Sequence, residues 1–319
     1  MKRFLFGISL REASFSARGF RCTEDRARTH LEHIGEVFLY GYHSALTDEK
    51  PDALGFLLAR VDSEFRGFAF EGAAMGLILL DSIVPWRKFR FERFLEGPGS
   101  THIYMVHVGA GWAFAKLGYS LNSVMKRLGR YDRLLRWLVV DGYGFCRGYF
   151  EWQTYVAKHK QPLVTESYAA RVFDQGIGRS LWFLEGADVR GVTTRIDGFP
   201  QSRRADLWSG IGLACAYAGG IDRESVQMLR NSAGAYRNHV AQGAAFAAKA
   251  RQRAGNIAPH TEVACEVLCD ASAGVAAKFA DRALKYLPDD GVEPGYEEWR
   301  RRIRAKCSAR SITVDRYRH

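Results

Sequence analysis

A glycine followed two positions later by another small residue recurs along this chain at nearly constant intervals, and this pattern limits the possible folds more than any other feature. The eight segments begin at Gly41, Gly72, Gly109, Gly142, Gly176, Gly210, Gly243 and Gly274, at spacings of 31, 37, 33, 34, 34, 33 and 31 residues. The first and last segments match the pattern weakly, and the middle six define it. Self-similarity at such a period is typical of repeat architectures.

The recurring glycines predict close packing between helices. A glycine inside a helix lowers helix stability by roughly 1 kcal/mol relative to alanine. Its recurrence at the same position of each repeat therefore indicates that the packing requires it. Amphipathic stretches with helical spacing lie between the segments, as in residues 52–61 and 223–229, and strand-like alternation is almost absent. We therefore predict an all-α, α-solenoid-like stack of about eight degenerate helix pairs. The glycine helices should lie on the inside of a curved superhelix with a concave inner face.

The repeat length is that of tetratricopeptide proteins, but the large consensus residues of that family are not in place. We predict an N-terminal segment over residues 1–24, a helical-repeat domain over 25–290 and a basic C-terminal arm over 291–319. Arg300, Arg301, Arg302, Arg304 and Lys306 form the densest basic cluster. We expect this cluster to be the solvated end of a helix.

Charge and composition narrow the choice of partners and compartment. The net charge of +11 is spread along the chain among interleaved acidic residues, and no nucleic-acid motif is present, so we predict no nucleic-acid partner. The N-terminal apolar stretch is too short for a signal-peptide core, which favours a cytoplasmic location. The most apolar stretch contains Glu71 and Asp81, which argues against a membrane span. Six scattered cysteines indicate reduced thiols.

Polar residues stand just before the glycines of several inner helices, and they are our candidate binding residues. Burying such groups is costly unless they are paired or face a ligand cavity. The alternative is that they brace adjacent repeats by hydrogen bonds. The candidates in this row, with Ser209 as a further member, are Glu71, His107, Asp141, Asp174, Gln175 and Gln242.

The aromatic residues of the glycine segments add Trp182 and Trp208 to the candidate ligand-binding residues. Most of the aromatic side chains should belong to the core. Any that line the concave side would suit a long, flat, unsaturated ligand better than a sugar or a phosphate.

No metal site is predicted, although Glu71, His107, Asp141 and Asp174 are suitable ligand types. Packed helices lie about 8–10 Å apart, so residues two repeats apart can share an ion only if the solenoid closes sharply. The sequence contains no nucleophile elbow or phosphate loop. Catalytic residues and any cofactor are therefore left unknown at this stage.

Several of these segments closely resemble the UnbL-type proteins of enediyne biosynthesis. This family of unknown function accompanies the enediyne polyketide synthase in bacterial gene clusters. The matching strings lie at residues 64–75, 102–113, 173–182, 204–210 and 242–253. The resemblance extends from about Phe15 to Arg302 and brings no catalytic residues with it.

The resemblance implies a role in forming the enediyne core, beside the synthase that makes a linear polyene. Three hypotheses follow. In the first, an accessory protein binds the hydrophobic polyene, or the synthase and its associated proteins. In the second, an enzyme modifies the polyene at the polar row. In the third, the protein is a scaffold with no small-molecule site.

Overall fold

The computed structural model describes residues 2–48, 50–83, 89–291 and 293–316, and within them the chain is all-α, as predicted. The α-helices are, in chain order, α1 (Lys2–Phe6), α2 (Phe15–Arg18), α3 (Asp25–Thr47), α4 (Pro51–Ala59), α5 (Ser63–Ile83), α6 (Arg90–Glu96), α7 (Ile103–Lys116), α8 (Leu121–Arg127), α9 (Arg136–Phe150), α10 (Ser167–Leu184), α11 (Val189–Gly198), α12 (Gln201–Ala218), α13 (Arg223–Ser232), α14 (Arg237–Arg253), α15 (Pro259–Cys269), α16 (Ala273–Ala283) and α17 (Gly295–Arg316).

Each of the eight glycine segments lies on its own inner helix, and these helices stack in sequence order. The row is α3, α5, α7, α9, α10, α12, α14 and α16. The shorter helices α4, α6, α8, α11, α13 and α15 connect them, whereas α9 and α10 are joined by a π-helical turn, Gln153–Ala157, and a loop. The predicted stack of helix pairs is confirmed, with this one linker as a variation.

The glycines allow direct backbone contact between neighbouring inner helices. A Cβ atom added at Gly142 would lie 2.0 Å from the carbonyl oxygen of Val108 on α7, and one at Gly144 would lie 2.3 Å from that of Phe173 on α10. Two glycines that are two residues apart on one helix thus allow close contact with the helices on its two opposite sides. The same alternation occurs on α7, α10 and α12, so the packing role predicted for the repeat is confirmed.

The connecting helices begin at residues that favour helix starts. Asp222 caps α13 by accepting a hydrogen bond from the Ser225 backbone N–H (2.8 Å), and Asp188 caps α11 in the same way. Proline occupies the first position of α4 and α15, where its missing N–H costs nothing. These helices turn a narrow apolar stripe toward the inner row, as Val226 and Leu229 show on α13.

The superhelix is wound so tightly that its concave side is filled. The rings of Phe68 on α5 and Tyr217 on α12 are 5.2 Å apart, although four steps of the inner row separate these helices. Arg253 at the end of α14 similarly donates to the carbonyl of Ser100, just before α7. The predicted concave inner face is therefore closed over, because side chains from inner helices four steps apart meet there.

The two ends of the chain pack against this helical body. Tyr42 Oη donates to the Phe6 carbonyl oxygen (2.7 Å), and the Arg21 N–H donates to Leu184 at the end of α10 (2.8 Å). On α17, Trp299 donates to the Ala280 carbonyl (2.9 Å), and Arg300 is fully buried. The expectation of a solvated basic cluster was wrong for Arg300, because carboxylates on α12 and α17 neutralise it inside the protein.

The glycine contacts predict a strong difference between two alanine substitutions. Gly142→Ala should destabilise the protein by about 3 kcal/mol or more, because its Cβ would overlap a backbone carbonyl that cannot move independently. Gly274→Ala is the matched control, since nothing lies within 4 Å of its added Cβ, and it should be neutral or stabilising by up to about 1 kcal/mol. Urea unfolding followed by circular dichroism measures both. Equal effects of the two substitutions would contradict the packing role.

Candidate functional site

Four members of the polar row meet in one hydrogen-bonded ladder across consecutive inner helices. Gln175 Nε2 donates to Asp141 Oδ2 (2.7 Å), and the Ser209 hydroxyl lies 3.3 Å from Gln175 Oε1 and 2.9 Å from Gln242 Oε1. All four side chains are buried. They face the axis because each precedes the glycine that fixes its helix against the previous one. The bracing alternative therefore accounts for the contacts of this part of the row.

Two buried arginines cap the ladder. Arg179 on α10 pairs with Asp141 at one end, and Arg300 Nε on α17 donates to Gln242 Oε1 (3.1 Å) at the other. Arg300 also pairs with Asp206 Oδ1 (2.8 Å). The sequence reasoning missed both arginines as site residues. The position of Arg179, one helical turn after Gln175, was the available signal for the first, since residues four apart share a helix face.

Glu71 belongs to the same polar row, but it lies beyond the capped end of the ladder and is not part of it. Its side chain is buried, and its Oε1 atom has no hydrogen-bond partner. Burial raises the pKa of Glu71 to about 7; the nearby Arg179 guanidinium opposes this shift and the Asp141 carboxylate adds to it. The Trp112 indole N–H also opposes the shift, although its geometry is too poor for a formed hydrogen bond. Glu71 is thus a carboxyl group that changes protonation state near neutral pH.

The carboxyl group of Glu71 borders a narrow apolar cavity of about 40 Å³. Aromatic and aliphatic side chains supply almost all of the remaining wall, among them Phe38, Met75, Trp112 and Phe145. The cavity contains no cluster of donors that would fit a sugar or a phosphate. A mainly apolar wall with a few polar groups is typical of a small-molecule site.

A second, wider apolar cavity of about 200 Å³ adjoins the first. Ile8 and Met75 line both, so the two cavities share part of their wall, and we describe them together as one channel, with Lys116 and Leu117 at its outer end and Glu71 at its inner end. The N-terminal segment covers this channel, because Phe6 and Ile8 belong to its wall. We call this feature the Glu71 channel. It is lined by Phe6, Ile8, Glu12, Ala13, Ile34, Gly35, Phe38, Leu39, Tyr42, Phe68, Glu71, Met75, Leu79, Trp112, Ala113, Lys116, Leu117, Phe145, Tyr149, Phe150 and Phe183.

A further small cavity of about 30 Å³ is lined by both members of the Arg179–Asp141 pair. Its walls include Tyr217, Phe246 and Trp299, so the end of the chain helps to close it. Glu71 and Asp141, which are two repeats apart, come together here because the solenoid closes sharply.

The other predicted site residues do not line the Glu71 channel. His107 Nδ1 is hydrogen-bonded to the Ile103 carbonyl of its own helix (2.7 Å), and burial lowers its pKa. Asp174 accepts hydrogen bonds from Arg203 Nε (2.9 Å) and Gln161, away from the ladder. Trp182 donates to the Gly219 carbonyl (2.9 Å) and Trp208 is buried in the core.

A polar surface groove of about 340 Å³ lies where α3, α5, α13 and α15 begin. Its two histidines are engaged by backbone carbonyls, His30 with Ala218 (2.6 Å) and His260 with Tyr217 (3.0 Å). His260 also pairs with Glu64 (3.2 Å). The imidazoles therefore tie the end of α12 to two helix starts, which is a structural role.

The described residues contain no group of three or more histidine, cysteine or acidic side chains that could hold a metal ion. Within the described ranges, no helix has both the length and the apolar character needed to cross a bilayer. All six cysteines are free thiols, and five of them are buried.

Fold and site together define an all-α superhelical repeat protein with an apolar channel that ends at a buried glutamate. A family model described as a protein of unknown function, DUF1702, matches residues 1–307, and the chain belongs to this family. No curated protein and no solved structure matches the chain.

The raised pKa of Glu71 predicts how stability depends on pH. A carboxyl group with a pKa of about 7 in the folded state and 4.5 otherwise favours folding when it is protonated. This contribution is fully present below about pH 4.5 and is lost as the pH rises through 7, with a total near 3 kcal/mol. Glu71→Gln should remove this pH dependence and make the variant more stable than wild type at pH 8.

Urea unfolding at a series of pH values from 5 to 8 measures this difference. The exposed Glu224→Gln on α13 is the control and should keep the wild-type slope. A Glu71→Gln variant whose stability follows the wild-type pH profile would contradict the assignment.

Proposed function

We propose that this protein binds an elongated, apolar, unsaturated molecule in the Glu71 channel. The observation that carries the proposal is the pair of joined apolar cavities that end at a buried carboxyl atom without a partner. An orphaned buried polar atom is costly for stability, and Glu71 Oε1 is one that borders a cavity in which a ligand could contact it. The resemblance to the UnbL-type proteins supports the linear polyene of an enediyne synthase as the molecule bound.

The channel wall suits a conjugated chain. The rings of Phe38 and Trp112 lie 4.7 Å apart, and Trp112 contacts Phe145 edge-on at 4.9 Å, so flat aromatic surfaces meet inside the inner cavity. Flat faces and ring edges pack well against a planar polyene, whose π-electrons they contact at little desolvation cost. The walls of the inner cavity offer few polar atoms for a more hydrophilic ligand.

The ligand would enter when the N-terminal cover lifts. The inner cavity is narrow while the cover is in place. Three hydrogen bonds hold residues 6–13, the part of the cover that lines the channel, to the inner helices of the described chain: the Ile8 N–H with His43 Nε2 (3.2 Å), Tyr42 with Phe6 (2.7 Å) and Tyr149 with the Glu12 carbonyl (3.2 Å). The rest of the N-terminal segment is anchored separately, at Phe15, Arg18 and Arg21. Segments held by few contacts open at low free-energy cost, which is suitable for a gate to a buried site.

An enzyme that modifies the polyene is the second candidate, and Glu71 is the observation that favours it. A carboxyl group with a pKa of about 7 can donate or accept a proton at neutral pH, as a general acid or base must. Placed at the inner end of the channel, it would act on a carbon or oxygen atom of the bound chain. Arg179 and Asp141 would tune its charge. In the third hypothesis, a scaffold for the synthase and its associated proteins, the channel would be unused.

Binding is tested by blocking the channel at Met75, which lines both of its cavities. Met75→Trp should weaken binding of the synthase polyene at least tenfold, because the larger side chain fills the space that the ligand needs. Met75→Leu is the matched control and should bind as wild type does, since volume-conserving core exchanges are tolerated. The absorbance shift of the bound polyene gives the affinity, and circular dichroism confirms folding of each variant.

Mass spectrometry of the same mixtures separates the three hypotheses. A polyene that co-elutes with unchanged mass supports the carrier, and a new mass supports the enzyme. A polyene that does not associate with wild-type protein would contradict both and favour the scaffold.

If a new mass appears, Glu71→Gln should abolish the conversion and retain polyene binding, because glutamine preserves volume but transfers no proton. The expected loss is at least a hundredfold in rate, the usual contribution of a general acid or base. Glu224→Gln again serves as the control. Conversion at the wild-type rate by Glu71→Gln would exclude Glu71 as the proton-transferring group.

A further inference from the structure

A lysine stands at the outer end of the Glu71 channel without an ion-pair partner. Lys116 is the last residue of α7 and lines the outer cavity. Its Nζ lies 3.1 Å from the centre of the Phe150 ring, and no carboxylate of the described residues is within 4.0 Å of it. The neighbouring cations are engaged, because Arg18 pairs with Glu12 and Arg147 pairs with Glu151.

The two ends of the channel therefore differ in charge. Lys116 lines the outer cavity and Glu71 lines the inner cavity, and most of the other lining side chains are apolar, such as Leu79 and Phe38. The further carboxylate of the inner cavity, Glu12, is paired with Arg18. An anion placed at the inner end would be repelled by the ionised Glu71 carboxylate and would lose most of its hydration. An anion at the outer end would meet a cation and stay close to solvent.

We propose that the ligand of the Glu71 channel is a linear unsaturated carboxylic acid, bound with its carboxylate at Lys116 and its apolar tail directed toward Glu71. This inference rests on the proposed function and adds the chemical class and the orientation of the ligand. A single ammonium group matches the single charge of a carboxylate, whereas phosphate groups are usually held by several donors or by arginine forks.

Partial desolvation lowers the pKa of Lys116, and a bound carboxylate would oppose this shift. The ring of Phe150 holds the ammonium in place by a cation–π contact before the ligand arrives. A lysine in the last turn of a helix also interacts favourably with the helix dipole, which is a purely structural use of the residue. The experiment must therefore separate head-group recognition from helix stability.

The probes are a fluorescent long-chain conjugated tetraenoic acid and its methyl ester, titrated into the full-length protein. Wild type should bind the acid about tenfold more tightly than the ester, as expected for a charge-assisted hydrogen bond. Lys116→Gln should lose this preference by weakening acid binding alone. Lys126→Gln on α8 removes an exposed lysine and should leave the preference unchanged. Met75→Trp should weaken both probes, which places them in the channel.

Each outcome decides the question. Equal affinity of wild type for acid and ester would overturn the head-group assignment and leave the proposed function standing. An equal loss of both probes in Lys116→Gln, with a lowered thermal midpoint, would assign Lys116 a structural role and also overturn the proposal. Failure of wild type to bind either probe or the synthase polyene would overturn the proposed function together with this inference.

Discussion

Backbone contact between neighbouring inner helices is the constraint on which the rest of the molecule depends. A Cβ atom at most of the leading glycines would lie about 2 Å from a carbonyl oxygen of a neighbouring helix, usually the previous one, so no side chain separates the two backbones there. Because the axes of neighbouring inner helices are so close together, the superhelix has a small radius. Its axis is consequently filled with side chains and only narrow spaces persist along it.

The same contacts fix the register of the polar ladder. Each polar residue precedes a glycine whose position is set to within a fraction of an ångström, so Asp141, Gln175, Ser209 and Gln242 meet at hydrogen-bonding distance. A shift of one residue in any helix would bury these groups without partners, at a cost of several kcal/mol. The ladder thus disfavours wrong registers among inner helices that all present similar glycine segments. This role in specificity does not require the ladder to add net stability.

The sequence predicted the parts of this structure that depend on local pattern. The period of the glycines was sufficient to predict the inner helices, their order and their close packing, and the cost of burying polar groups was sufficient to identify the row. The closure of the superhelix was missed because it depends on the small rotation between successive helix pairs. No local sequence pattern indicates the size of this rotation. Arg300 was assigned to solvent because a run of arginines is usually exposed, and only α17 packing across α12 and α14 provides its carboxylate. The channel was missed because the residues that line it, from the N-terminal segment and from several inner helices, are far apart in the sequence.

Glu71 shows why one end of the axis differs from the other. From Asp141 to Ser209 the polar groups satisfy one another, and Arg179 closes this set by pairing with Asp141. Glu71 reaches the same guanidinium only through space, because Asp141 already occupies the close position. An alanine or leucine at residue 71 would fill the position without the cost of burying a carboxyl group. The Glu71 carboxyl group therefore has the Arg179–Asp141 ion pair on one side and the apolar wall of the channel on the other. The neighbouring Arg179–Asp141 pair, held by the ladder, keeps the surroundings of this carboxyl group fixed where a ligand in the channel would contact it.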